Sequence, residues 1–233
     1  MKKHICPICS TSEFKDFRGR INVRCAECGS FERSRYLWSI LEELELDKVE
    51  GDILHMAPEV GIAQKLRKIY GKKYRTLDFE PEIYEKTNLN IEQIDLCKDL
   101  SEIKDNSIGA IIHVHVLEHV RCNVTAVFQE LNRIIAPNGY HIIGLPFMEG
   151  YSKEDFNPEL SEEVRLRDYG HEDHVRVFGM EDWDLLYESS FKGFNKIDSS
   201  HICNSEYLER IRVPVAALRG KMSHSINVWR KTS

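Results

Sequence analysis

Apolar residues along the chain recur in two rhythms, one helical and one extended, and the two alternate. From Glu32 to Leu46 the positions Tyr36, Leu37, Ile40, Leu41 and Leu44 fall three and four apart, the spacing of a single buried helix face. Asp52–Met56 reads as a short buried strand, and Ile62–Tyr70 as a second helix stopped by Gly71. Tyr74–Phe79 predicts a second strand, and Asn90–Leu96 contains a third. Ile108–His115 is the strongest strand pattern in the chain. A helix over Val124–Ile135 follows, ended by Pro137-Asn138-Gly139, and then a fifth strand over Tyr140–Leu145. Met180–Ser189 predicts a further helix, with late strands over Phe194–Ser199 and Ser225–Arg230. Such alternation predicts an α/β fold, a mostly parallel sheet with helices on both faces. Residues 146–179 follow neither rhythm. They predict a charged, irregular insert, and loops of that length are commonly lids or binding loops.

Composition narrows the class without changing this picture. The chain has 233 residues, 42% apolar and 30% charged, which suits a globular protein and argues against disorder. No apolar run approaches the roughly 18–20 residues that cross a bilayer, so no membrane partner is expected. Met-Lys-Lys-His at the start lacks the apolar core of a secretion signal, which predicts a cytoplasmic protein. Residues 1–35 carry a net charge of +4 and the remainder −10. A weakly basic head permits nucleic acid there but does not demand it.

Cysteine spacing carries the sharpest local chemistry. Four of the seven cysteines form two C-x-x-C knuckles, Cys6/Cys9 and Cys25/Cys28, separated by fifteen residues. This is the spacing of a zinc ribbon, because two thiolates of one tight turn can reach the same ion. Four thiolates leave no open position, so the zinc is expected to be structural. The predicted organisation is a zinc ribbon over 1–35 and a catalytic domain over 36–233. Cys97, Cys122 and Cys203 stand alone and are expected to fill the core.

Ligands of parallel sheets bind beyond the C-terminal strand ends, near the point where strand order reverses. After the first strand comes Ala57-Pro-Glu-Val-Gly61. The second ends at Asp78, 21 residues beyond Ala57, about the distance at which an acid reaches a ribose hydroxyl. The third ends at Asp95-Leu96 and the fourth at His113-Val-His-Val-Leu-Glu-His119.

The order of these stretches (DILHMAPEVG, YRTLDFEPE, IDLCKDL, AIIHVHVLEHV and ELNRIIAPNGY) resembles the class I S-adenosylmethionine-dependent methyltransferases, in particular the branch with V-L-E-H after strand four. The resemblance covers about residues 50–145 and implies a Rossmann-like seven-stranded sheet, with S-adenosylmethionine as cofactor. It places the cofactor against His55, Ala57, Glu59, Gly61, Asp78, Phe79, Asp95, Leu96 and His113, with Asp78 on the ribose and Asp95-Leu96 at the adenine. One departure is visible. The family's first loop is glycine-rich, whereas here His55, Ala57 and Glu59 occupy aligned positions and only Gly61 survives; Glu59 is placed to meet the cofactor's amino group instead.

Methyl transfer is an in-line displacement that positions an acceptor and, for a hydroxyl or amine, removes its proton. Two histidine clusters suit that task, His115 with His119 and His171 with His174. His119 and His174 are the candidate general bases; His115, His171 and Arg176 are the candidate acceptor-binding residues. Three readings of the acceptor stand in descending order. The first is a small polar molecule, a sugar or phosphate-linked group of surface-polysaccharide metabolism, the glycan link resting on similar ribbon-plus-methyltransferase chains. The second is an RNA base, recruited by the ribbon through Phe14, Phe17 and its arginines. The third is a non-catalytic, zinc-dependent interaction protein.

Overall fold

A computed structural model describes residues 4–233. The chain begins with a hairpin, β1 (Phe14–Phe17) and β2 (Arg20–Cys25), then α1 (Glu32–Glu43). The body follows as β3 (Asp52–Met56), α2 (Val60–Tyr70), β4 (Tyr74–Asp78), β5 (Ile91–Gln93), β6 (Ile108–Val114), α3 (Val124–Ile134) and β7 (Ile135–Gly144). Next come the short strands β8 (Phe147–Met148) and β9 (Lys153–Glu154), α4 (Glu162–Tyr169), β10 (Arg176–Gly179) and α5 (Trp183–Leu186). The chain ends in β11 (Phe194–Ile197), α6 (Ser205–Arg210) and β12 (Asn227–Lys231). No helix among the described residues is long and apolar enough to cross a membrane.

The expected seven-stranded sheet is present, in the order β11-β12-β7-β6-β3-β4-β5. All neighbouring pairs run parallel except those made by β12, which is antiparallel to both β7 and β11. Strand order reverses between β3 and β6. Every residue of β6 is buried, as a strand covered on both faces requires, which is why its sequence reads as unbroken apolar. Apolar residues on the two faces build two cores. One, under α1 and α2, includes Leu37, Ile40, Ile53 and Ile112; the other, under α3, includes Leu54, Ile111, Phe128 and Leu131.

Two features depart from the sequence reading. Pro137-Asn138-Gly139 does not stop the chain between elements; it is a bulge within β7, which resumes its pairing with β6 at Tyr140. Asn138 adopts a left-handed φ of 64° there, a conformation asparagine tolerates. Residues 146–179 are also not irregular. They form a three-stranded sheet, β8-β10-β9, with α4 beside it. Gly179 sits where an added Cβ would lie 2.4 Å from the backbone of Tyr151 and Ser152, so this small sheet closes only over a glycine.

The N-terminal hairpin does not stand apart. Cys6, Ile8 and Cys25 are buried in the same core as the body's Tyr36 and Ile62. Arg35 is fully buried and its guanidinium joins three segments, donating to Val23 and Ser30 of the ribbon and to Ile211 and Arg212 near the C-terminus. The boundary expected at residue 35 therefore falls inside α1, on the residue that ties head to body.

Candidate active site

Open α/β sheets bind ligands in the crevice outside the carboxyl ends of the strands where their order reverses, which here falls between β3 and β6. Two non-glycine residues at these strand ends are in left-handed conformation, Ala57 after β3 (φ 46°) and His115 after β6 (φ 58°). Such backbone costs of order 1–3 kcal/mol per residue and persists where the surroundings over-determine it, commonly at functional sites. At Ala57 the chain occupies a glycine's conformation, with its N–H donated to Leu77 O at 2.9 Å. This accounts for the missing glycine: the geometry is kept and the residue type is not.

Around that loop the expected residues separate into two sets. Asp78 ends β4 half-buried, Oδ1 accepting from Glu80 N at 2.9 Å and Oδ2 from the Tyr84 hydroxyl at 3.0 Å. Each oxygen retains a lone pair, and Phe79 beside it is 61% exposed. Glu59 precedes α2, its Oε2 3.2 Å from Nε2 of His55, whose Nδ1 meets the Tyr74 hydroxyl at 2.7 Å. His55 is fully buried and supports Glu59 from behind. Gly61 faces the ribbon, since an added Cβ would meet Ile8 at 3.6 Å and Cys28 at 3.7 Å. Asp95 is engaged by its own turn, accepting from Cys97 N and pairing with Lys98 at 2.8 Å; the Lys98 ammonium holds it below the usual carboxylate range. Leu96 packs into the core beneath α3.

His113 does not border the crevice, contrary to expectation. It is fully buried, its Nε2 2.9 Å from Nε2 of His141. Nδ1 of His141 is 2.6 Å from Asn132 Oδ1, which fixes the protons. His141 donates from Nδ1 and accepts at Nε2, so His113 donates from Nε2 and both rings are neutral. Burial accordingly lowers His113 to about 3 and His141 well below its ordinary value. A period-2 strand buried on both faces sends residue 113 into the α3 core, and only the chain beyond Val114 can reach the crevice.

Beyond Val114 the structure brings His115, Glu118, His119 and the insert together. Val175 N donates to Glu118 O at 2.9 Å, docking β10's lead-in on the turn after β6. His119 and His174 meet edge to face at 4.8 Å between ring centres. Nδ1 of His119 lies 3.1 Å from Asp173 Oδ2, and His171 caps the other oxygen of Asp173. His115 Nε2 donates to Ser223 O at 3.1 Å, and His174 Nδ1 to Tyr169 O at 2.9 Å. Burial lowers His119, takes His115 to about 3 and His174 to about 4, and raises the Glu118 carboxyl to about 8. His119 is the most open of these four, with 39% of its side chain exposed.

Arg176 is a second correction. It is 1% exposed and all its donors are committed: Nη1 to Leu117 O and Val120 O, Nη2 to Cys122 O, and Nε with Nη2 to Glu154. It clamps the insert onto the turn after β6 and has no donor left for an acceptor. A different arginine has one. Nε of Arg33, in α1, is buried with no hydrogen-bond partner among the described residues, and its charge acts on His115, Glu118 and His224. The signal was in the sequence: Arg33 lies in register with Tyr36, Leu37 and Ile40, a cation on the buried stripe of a helix. Glu118 and Asp173 are the other residues the sequence reading did not nominate. Cys97 and Cys122, expected as core filler, are a disulfide linking the turn after Asp95 to the residue before the α3 cap, with Cα atoms 6.0 Å apart.

Residues 57–143 match the family described as a methyltransferase domain. Two solved structures share the fold. A SAM-dependent methyltransferase from Archaeoglobus fulgidus is 15% identical, with a TM-score of 0.50 over 87% of this chain and 95% of that one. An S-adenosylmethionine-dependent methyltransferase from Mesorhizobium loti is 14% identical, with a TM-score of 0.50 over 84% of this chain and 98% of that one. No curated protein matches the sequence. Residues 57–143 thus carry a methyltransferase domain, and the chain's strand order belongs to the fold it shares with these two S-adenosylmethionine-dependent methyltransferases.

Proposed function

We propose that the enzyme transfers the methyl group to a small polar acceptor held between the turn after β6 and the docked insert. One observation carries this reading: the insert is fastened down by Arg176 and delivers His174 and Asp173 onto His119 and Glu118. S-adenosylmethionine would lie over Ala57–Glu59, with Asp78 accepting from the ribose hydroxyls through its free lone pairs. His119 and His174, neutral and adjacent, handle the proton that an acceptor hydroxyl or amine must lose. His115 adjoins Glu118, and the charge of Arg33 acts on both. Arg33 has an unpaired Nε that an acceptor phosphate or carboxylate would engage.

The ribbon fits a structural zinc. The sulfurs of Cys6, Cys9, Cys25 and Cys28 lie within 4.8 Å of one another, with Cys6–Cys28 at 3.6 Å and Cys9–Cys25 at 3.4 Å. A tetrahedral ion with bonds of about 2.3 Å separates its sulfurs by about 3.8 Å. The four residues would hold that ion and leave no position for a substrate. Phe14 packs inward beneath Arg35 and Arg212, and Phe17 rests on Phe31, so neither offers a free platform for a base. This favours the small acceptor over RNA. The test is turnover against panels of phosphorylated and carboxylated hydroxy compounds and of RNA. His119→Ala should lower turnover by about 10²–10⁴ if it is the base. Normal turnover in both His119→Ala and His174→Ala, or methylation of RNA alone, would refute the assignment.

A further inference from the structure

Glu118 presents a chemical problem. Its carboxyl is fully buried, and neither oxygen has a hydrogen-bond partner among the described residues. Its neighbours make this worse, because they also present lone pairs. His115 uses its Nε2 proton on Ser223 O, so the bare Nδ1 faces Glu118 Oε1 at 3.3 Å. His174 uses its Nδ1 proton on Tyr169 O, so the bare Nε2 lies 3.9 Å from the same oxygen. Buried acceptors without donors are costly, and here two ring nitrogens and a carboxylate oxygen face one another. Either a proton given by Glu118 to a ring nitrogen or a cation belongs between them.

We propose that Glu118, His119 and His174 hold a divalent transition-metal ion, a site separate from the cysteine cluster. Their ligand atoms lie within 4.8 Å of one another, close enough for bonds of about 2.0–2.2 Å to a shared ion. Two imidazoles and one carboxylate form a set suited to iron, manganese or zinc, with positions left open for an acceptor oxygen. The surroundings are those of ligating histidines, which commonly donate their other N–H to a carbonyl or carboxylate. His174 does so to Tyr169 O, and His119 to Asp173, which His171 steadies. Arg33 adds positive charge nearby, and the carboxylates of Glu118 and Asp173 offset it. The site deepens the reading of this cleft as the acceptor site: the ion would bind and polarise an acceptor oxygen that His119 or His174 would otherwise deprotonate directly. Its existence as a metal site does not depend on that reading.

The experiment uses the full chain with zinc already on its cysteines. Mn²⁺ is titrated in and the free ion followed by electron paramagnetic resonance. Manganese favours nitrogen and oxygen donors and does not displace zinc from thiolates. One Mn²⁺ per chain is expected, with Glu118→Gln and His119→Ala each weakening it by about tenfold or more. Circular dichroism confirms that the variants fold; His119, partly exposed, is the substitution that disturbs the core least. If neither Mn²⁺ nor Zn²⁺ beyond the first equivalent binds, or both variants bind as the wild type does, the proposal is overturned. Cofactor affinity is measured in the same samples. Its absence beside intact Mn²⁺ binding would refute the placement of the donor while leaving the metal site standing.

Discussion

Replacing Arg176 with methionine separates a clamp from an acceptor-binding residue. Methionine keeps much of the volume and removes every donor. Three carbonyls, of Leu117, Val120 and Cys122, then lose partners at 2.5, 2.5 and 2.8 Å in a site where the arginine was 1% exposed. Leaving one buried acceptor unpaired costs about 1–3 kcal/mol, and disrupting a buried charged network about 3–5 kcal/mol. The Glu154 pair adds little, since that carboxylate is 46% exposed. A local loss of about 3–5 kcal/mol approaches the whole stability of many domains, so the insert should open before the sheet unfolds. Hydrogen exchange over residues 146–179 should then rise by about 10²-fold or more, since each 1.36 kcal/mol is a factor of ten, with amides of β3 and β6 changing far less. The denaturation midpoint should fall as well. A variant with unchanged exchange and unchanged midpoint, defective only in turnover, would refute the clamp and restore Arg176 as a residue that touches the acceptor.

Three further outcomes follow from the same structure. Chelating the zinc proposed for the ribbon, or Cys25→Ser, should destabilise the whole chain because Cys25 and Ile8 share the body's core, and calorimetry should show one lowered transition; an unchanged body transition would contradict this. His113 and His141 are held neutral, so below pH 6.5 the unfolded chain binds protons that the folded chain refuses, and stability falls with pH until about 3. For His113 the loss reaches about 2 kcal/mol by pH 5, and His141→Gln should make the fall in stability between pH 7 and 5 shallower in denaturant titrations; an unchanged fall would contradict the assignment. Reduction of Cys97–Cys122, which are 25 residues apart, should lower stability by about 3.5 kcal/mol on loop-closure grounds, and an identical midpoint with and without reductant would show that the pair contributes nothing.

Much of the fold was legible because it rests on buried periodicity. The stripe from Tyr36 to Leu44 and the apolar run of β6 each state which face is covered, and the structure covers those faces. What sequence could not state was direction at a strand end. His113 and His115 look equivalent in a His-Val-His run, yet the strand carries the first into the α3 core and a left-handed turn sends the second toward Ser223 and Glu118. Arg176 looked like an anion ligand because an arginine beside histidines has that meaning near a cleft. Its true partners are three carbonyls on a turn more than fifty residues away, and no local pattern encodes them. The insert lacked periodicity because its strands are two to four residues long, too short to show one. Cys97 and Cys122 were paired only by tertiary structure.

The proposed reading of the site rests on S-adenosylmethionine binding at the ends of β3 and β4 with Asp78 on its ribose. Titration of the cofactor into wild-type protein and Asp78→Ala by calorimetry tests it directly. Hydrogen bonds to a charged group contribute about 1.5–3 kcal/mol, so the variant should remain folded and bind at least about tenfold more weakly. Equal affinity in the two proteins, or no binding to the wild type, would contradict the claim.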